Sequence, residues 1–150
     1  MDNVSLGESV HRLVHAYKHL LREGIRDQQI ELPVTHIRVL KGICRAQQST
    51  ARSIAQRMRR DKAQITRALN DLIDAGLIEK TDNPLDRRSQ LLASTSKGKA
   101  VMTRLDKAEQ WAVKQLTRNL NPDDIAHFLK VSNTMADSVE QMRPAETGVI

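Results

Sequence analysis

A chain of 150 residues with a formal net charge of +6 and three aromatic side chains, Tyr17, Trp111 and Phe128, suits one domain with extensions, its core built from Leu, Ile, Val, Met and Ala. A single cysteine, Cys44, excludes an internal disulfide; no run of about 18 apolar residues exists, and Glu8, His11, Arg12 and His15 interrupt any signal pattern, so a soluble cytoplasmic protein is expected. The lack of a Ser/His/Asp set, a phosphate loop or a metal motif argues against an enzyme, and no cofactor is expected.

Few Gly and Pro and many segments of helical period predict a mostly α fold. Leu6, Val10, Leu13, Val14, Tyr17, Leu20 and Leu21 mark an amphipathic helix over about 5–28. Pro33 suits the first turn of a second helix with Ile37, Leu40, Ile43 and Cys44 inward. Gln47, Gln48 and Ser49 form a polar break, and Thr50 then caps a short third helix holding Ile54, Ala55 and Met58. Asp61 caps a fourth, with Gln64 as its partner in a capping box. Ile65, Leu69, Leu72 and Ile73 face inward, whereas Ala63, Gln64, Thr66, Arg67 and Asn70 project away from that stripe. Gly76 ends this helix as a left-handed C-cap.

Residues 77–81 and 90–93 read as short strands joined by the turn Asn83-Pro84-Leu85-Asp86, with Leu77 and Leu91 anchoring the hairpin. Thr95 starts a fifth helix whose stripe, Val101, Leu105, Ala108, Trp111, Ala112 and Leu116, runs to about residue 120. Asn121-Pro122-Asp123-Asp124 starts a sixth: a cap, a proline at the first position, and acids toward the positive dipole end. Ile125, Phe128, Leu129, Ser132, Met135, Val139 and Met142 continue at helical spacing, and the chain frays from Arg143.

The charge is concentrated. From Lys41 to Arg67 there are eight bases and one acid, Asp61, so this segment carries +7 and the remainder of the chain −1. Such a cluster around a helix-turn-helix implies a polyanion partner. A polar helix followed by a basic hairpin is a two-point grip on duplex DNA. Gln64 can read adenine and Arg67 guanine in the major groove, although a capping role competes for Gln64 and a phosphate contact for Arg67. Thr66 and Lys62 suit phosphates, as does Arg60 in the same basic turn; Ser49, Thr50 and Arg52, with the amides of a helix start, would hold another phosphate. Arg87 and Arg88 at the hairpin tip suit a narrow minor groove. Asp86 either orients one of these arginines by a charge-assisted bond or only satisfies the turn backbone. The apolar stripes of the first and last two helices exceed what one winged module covers. They predict pairing with a second copy in a C2 dimer. Two reading helices then stand one DNA turn apart, roughly 34 Å, on a near-palindromic operator.

Ser53-Ile54-Ala55, Ile65-Thr66-Arg67, Leu69-Asn70-Asp71-Leu72, Ala75-Gly76-Leu77-Ile78-Glu79-Lys80, Asp86-Arg87-Arg88 and Thr95-Ser96-Lys97-Gly98 together resemble the MarR family of multiple-antibiotic-resistance-type regulators. The resemblance spans about residues 30–105 and is nearest to the SlyA-like branch. It implies a single MarR-type domain over 1–150: a winged helix-turn-helix lobe over about 33–98 and dimerisation helices over about 5–30 and 100–143. It also implies that Ala63, Gln64 and Arg67 face bases, that Arg88 enters the minor groove, and that Asp86 braces the wing. Pro33, His36, Ile37 and Ser94 depart from the residues most frequent in the family, and Ile37 removes an aromatic wall from the cleft where family members bind phenolic effectors.

That cleft implies effector residues among His15, Tyr17, His19, His36 and Arg38; a carboxylate would suit Arg38 or a protonated histidine. The row His11, His15, His19 has metal-compatible spacing but lacks further ligands, so no metal is expected. Cys44, on an apolar face, reads as structural. The expected function is a homodimeric regulator, usually a repressor, released from a palindromic promoter site by a small phenolic or lipophilic ligand, and nucleoid-associated when bound. The alternative is a low-specificity architectural DNA binder, or an activator that displaces other chromosomal proteins, marked by a steep salt slope and little sequence preference.

Overall fold

The computed structural model describes residues 3–46 and 48–142. Gln47 of the polar break and the tail expected to fray from Arg143 lie outside the described residues. Six helices, α1 (Asn3–Asp27), α2 (Val34–Arg45), α3 (Ala51–Met58), α4 (Lys62–Asp74), α5 (Ser96–Thr117) and α6 (Pro122–Met142), accompany one antiparallel hairpin of β1 (Ile78–Asp82) and β2 (Gln90–Ser94). The chain divides into two compact units, residues 1–112 and 113–150. None of the described helices is long and apolar enough to cross a membrane.

The core of the first unit joins Ile37, Val39, Leu40 and Ile43 of α2 to Ile54 of α3, Ile65, Ala68, Leu69 and Leu72 of α4, Leu77, Ile78 and Leu92 around the hairpin, and Val101, Met102 and Leu105 of α5. Burying each large side chain contributes about 1.5–3 kcal/mol. Val39 lies off the predicted inner stripe yet is fully buried, because α2 packs against α3, α4 and β2 together. Cys44 is half-buried against this core. Pro33 stands one residue before the helix, at the N-cap, with ψ 151°, and not inside the first turn. Its ring fixes φ only, so an extended ψ is open to it; its carbonyl still accepts the Ile37 amide at 3.0 Å.

The ends of the helices explain the motifs around them. Gly76, at φ 73°, is the left-handed C-cap the sequence predicts. The Gly76 amide donates to the Ile73 carbonyl at 2.9 Å and the Leu77 amide to the Leu72 carbonyl at 2.9 Å, the paired bonds of a Schellman motif. Leu77 is consumed by this turn, so β1 starts at Ile78, one residue later than expected. Thr95 then fastens α5 to the same turn: its hydroxyl donates to the Gly76 carbonyl at 2.6 Å and accepts the Gly98 amide at 3.1 Å. The Lys97 ammonium reaches the Ala75 carbonyl at 2.9 Å, complementing the negative end of α4. At the other end of the unit α1 closes with Gln29 at φ 57°, and Arg104 of α5 donates to the freed Gln28 carbonyl at 3.2 Å.

In the hairpin, Lys80 pairs with Leu92 and Thr81 with Leu91. Leu92 is the buried anchor beside Leu77 and Ile78, and Leu91 is only half-buried, which corrects the expected anchor. The run Leu91-Leu92-Ala93 is apolar at every position, so alternation alone does not set its face. The structure sets it through a third partner: the Leu92 amide donates to the Ser49 carbonyl at 2.7 Å.

The second unit contains α6. Asn121 and Asp124 cap it reciprocally: the Asp124 amide donates to Asn121 Oδ1 at 2.8 Å, and the Asn121 amide to Asp124 Oδ2 at 3.1 Å. No residue of α6 is buried, and Phe128, Leu129, Met135 and Val139 are exposed. In the first unit, Leu6, Val10 and Val14 of α1 are likewise exposed.

Candidate nucleic-acid interface

The site starts with α3. The Ser53 amide donates to Thr50 Oγ1 at 3.1 Å and the Thr50 amide to Ser53 Oγ at 2.9 Å, closing a capping box that orients the first turn. A tight turn with Arg59 at φ 49° leads to Asp61, whose Oδ1 accepts the Ala63 amide at 3.3 Å. The α4 cap therefore closes on Ala63, and the capping box expected with Gln64 does not form. Gln64 is left exposed and outside the cap.

Because Ile65, Ala68, Leu69 and Leu72 occupy one face of α4, Lys62, Ala63, Gln64, Thr66, Arg67 and Asn70 stand exposed on the rest. A groove of about 780 Å³ joins this face to the start of α3 and to the hairpin; Thr50, Arg52, Lys62, Thr66, Asn70, Lys80, Asp86, Arg88 and Gln90 line it. A shallower recess of about 700 Å³ lies beside it, lined by Lys62, Ala63, Thr66, Arg67 and Asn70. Thr50, Arg52, Lys62, Thr66, Asp86 and Arg88 are thus brought into one trough, with Ala63 and Arg67 on its adjoining flank. Arg60 is exposed in the turn before α4, and Arg87 at the hairpin tip. Lys80 and Gln90 are additions. Lys80 pairs with Leu92 and Gln90 with Asp82 in the register, and strand alternation beside buried Ile78 was the signal that could have found Lys80.

Two expected residues behave differently. Ser49 is 0% exposed; its hydroxyl accepts from the Arg57 guanidinium at 3.0 Å, and its carbonyl is held by Leu92. Its side chain is spent inside the fold and does not face the surface where a phosphate would lie. Asp86 makes no ion pair with Arg87 or Arg88 among the described residues; its Oδ1 accepts the backbone amide of Arg88 at 2.9 Å. The turn-forming role prevails, reinforced by Asn83, which accepts the Leu85 amide at 3.0 Å and donates to Ser89 Oγ at 2.9 Å. The charged ends of Arg52, Lys62, Lys80, Arg67, Arg87 and Arg88 have no ion-pair partner among the described residues. Asp86 is the acid that lines the groove against them.

The five expected effector residues have different local surroundings. His15 and His19 lie on the exposed face of α1, and His19 meets Glu23 at 3.3 Å. Among the described residues no cluster of three or more His, Cys, Asp or Glu side chains has metal-binding geometry. Tyr17 is half-buried; burial, and then the Glu109 carboxylate, push its hydroxyl above the ordinary 10.0. Glu109 is itself paired with Lys41. His36 is bonded to Asp71 of α4 at 2.8 Å, and Arg38 is exposed. A separate cavity of about 710 Å³ opens between the end of α1 and the start of α2, lined by Arg22, Ile25, Arg26, Ile30, Leu32, Val34 and Ile37 among others. None of the five lines it; the pairing of one helix end with the next helix start is not visible in either helix alone.

The model of the MarR family matches residues 30–89. MarR of Escherichia coli K12 is 27% identical over 124 residues, 82% of this chain and 85% of that protein. The likeness to the MarR family thus extends along most of the chain. Another relative, the HTH-type transcriptional regulator PapX of Escherichia coli, is 33% identical over 82 residues, 55% of this chain; the match spans half of the length of PapX. A mutant E. coli MarR crystallised with operator DNA superposes with a TM-score of 0.70 at 25% identity, over 88% of this chain and 94% of that one. FabT of Streptococcus pneumoniae, crystallised with DNA, shares the fold at TM-score 0.79 and 18% identity, over 95% and 100% of the two chains. The MarR-family model runs from Ile30, four residues before α2, to the hairpin loop, so it covers α2, α3, α4 and most of the groove.

Proposed function

We propose that this protein is a homodimeric, cytoplasmic transcriptional repressor of the MarR type that binds a near-palindromic operator in duplex DNA and is released by a small phenolic or lipophilic ligand. The carrying observation is the groove that runs from the exposed face of α4 to Arg88, where Arg52, Lys62, Lys80 and Arg88 form no ion pair among the described residues. A relative of the same fold bound to operator DNA supports the same reading. In this reading α4 enters the major groove. Gln64 and Arg67 contact base edges, with Ala63 beside them against a thymine methyl. Thr50, Arg52, Arg60, Lys62 and Thr66 hold phosphates on either side, Thr50 and Arg52 from a helix start. Arg87 and Arg88 reach the minor groove from a turn shaped by Asp86. The exposed apolar faces of α1 and α6 supply the dimer surface.

Selection of bound fragments from a random DNA pool, with sedimentation of the protein alone and with candidate phenolic acids present, tests this directly. A near-palindromic consensus and a dimer are expected. Retention of random and selected DNA with equal affinity and a steep salt dependence would favour the architectural reading instead. Two substitutions refine the geometry. Arg67→Ala is expected to cost about 1–3 kcal/mol on the selected operator and to relax one base position, read by fluorescence anisotropy on operator variants. Equal losses on operator and random duplex would reduce Arg67 to a phosphate contact. Arg88→Ala is expected to weaken binding most where the flanking minor groove is A·T-rich, and equal weakening on G·C-flanked sites would count against minor-groove entry.

A further inference from the structure

We propose that His36 is a positioning residue for DNA reading: it holds the Asp71 carboxylate away from Arg67. Asp71 follows Arg67 by four residues on α4, so the two side chains are neighbours on the helix surface, with Cβ atoms roughly 5–6 Å apart. An acid and an arginine at that spacing pair readily. Here they do not. Asp71 Oδ2 is bonded to His36 Nε2 of α2 at 2.8 Å, and Arg67 makes no ion pair among the described residues. Nothing steric forces this choice, because the Asp71 side chain is 56% exposed and free to swing along its own helix.

The imidazole is an expensive way to fill its site. The His36 side chain is 16% exposed, and its Nδ1 is buried with no partner. A buried polar atom left unsatisfied is costly, and a hydrocarbon side chain would occupy the same space without stranding one. What a hydrocarbon lacks is a donor to Asp71. An acceptor-only carboxylate requires the ring to donate from Nε2, and the stranded Nδ1 is the cost of that one bond. The bond also turns the acid of the reading helix toward α2, leaving the Arg67 guanidinium free to meet a base. This rests on the reading of Arg67 as a base contact.

A double-mutant cycle on the full chain, with anisotropy on the selected operator and on random duplex, tests it. His36→Ala is expected to weaken operator binding about tenfold and random binding little. Asp71→Asn, which removes the competing charge, is expected to bind at least as tightly as the unaltered protein. In the Asp71→Asn background, His36→Ala should cost less than twofold. His36→Gln, which restores an amide donor, should return most of the affinity. The proposal is overturned if Asp71→Asn alone weakens operator binding as much as His36→Ala, since the bond would then be needed for the pose of α4 itself. It is overturned equally if His36→Ala costs the same in both backgrounds, or nothing. The Asp71→Asn result stands on its own if His36→Ala fails to fold. Arg67→Ala in the same series separates the two levels: undiminished operator affinity there would remove the base contact as well, whereas a loss there with a weak Asp71→Asn removes only the role of His36.

Discussion

Gly98→Ala is expected to destabilise the protein by about 3 kcal/mol or more, near the top of the range for an overpacked site. A Cβ at Gly98 would lie 2.1 Å from the Leu77 carbonyl oxygen and 3.1 Å from its carbon. Leu77 has little room to retreat. Its amide is held by the Leu72 carbonyl, its own carbonyl accepts the Thr95 amide at 3.0 Å, and its side chain is buried. The clash therefore falls on the joint that ties the end of α4, the start of β1 and the start of α5 together. For a domain that is marginally stable, such a loss is a large share of the total and should lower the melting temperature by roughly 10 °C. Thermal unfolding followed by circular dichroism reads this, and an unchanged midpoint would mean that α5 slides along the turn without cost. Operator affinity should fall with it, because the same joint orients α4 against the hairpin.

Phe128→Asp should act on assembly and leave the fold of the chain intact. Phe128 is 50% exposed on a helix with no buried residue, so a carboxylate there meets solvent in the isolated chain. Against the apolar face of a second copy the same carboxylate would have to be desolvated without a partner. The expected outcome is a helical monomer whose operator affinity is lower by a factor of about 10²–10⁴, the loss that follows when two linked contacts become one. Sedimentation velocity and anisotropy check the two halves of this result. A Phe128→Asp protein that stays dimeric and binds undiminished would remove this face of α6 from the assembly.

Much of this molecule was legible residue by residue. Thr50 and Asp61 cap the helices they were expected to cap, Gly76 takes the left-handed turn, and Asn121 with Asp124 starts α6. The inward and outward faces of α4 follow from its period. The errors share a character. Gln64 was expected to close the α4 cap, but Asp61 reaches the Ala63 amide instead, one residue nearer. Ser49 was expected at the surface as a polar residue in a break, but it lies under Arg57 and beside Leu92. Asp86 was weighed as a brace for an arginine side chain and proved to hold an arginine amide. Polar side chains have several partners within reach, and composition does not rank them.

The sequence by itself determined the elements, their caps, the polar face of α4 and the concentration of charge around it, because these depend on partners at most a few residues away. Only the tertiary structure decided which distant groups meet. Thr95 reaches back 19 residues to Gly76, Lys97 reaches 22 to Ala75, and His36 and Asp71 are 35 apart. The facing of Leu92 and the burial of Ser49 belong to the same class. Each such pair is chosen by how α2, α4, α5 and the hairpin pack around one core, and that choice brings the polar face of α4, Arg52 and Arg88 into a single groove.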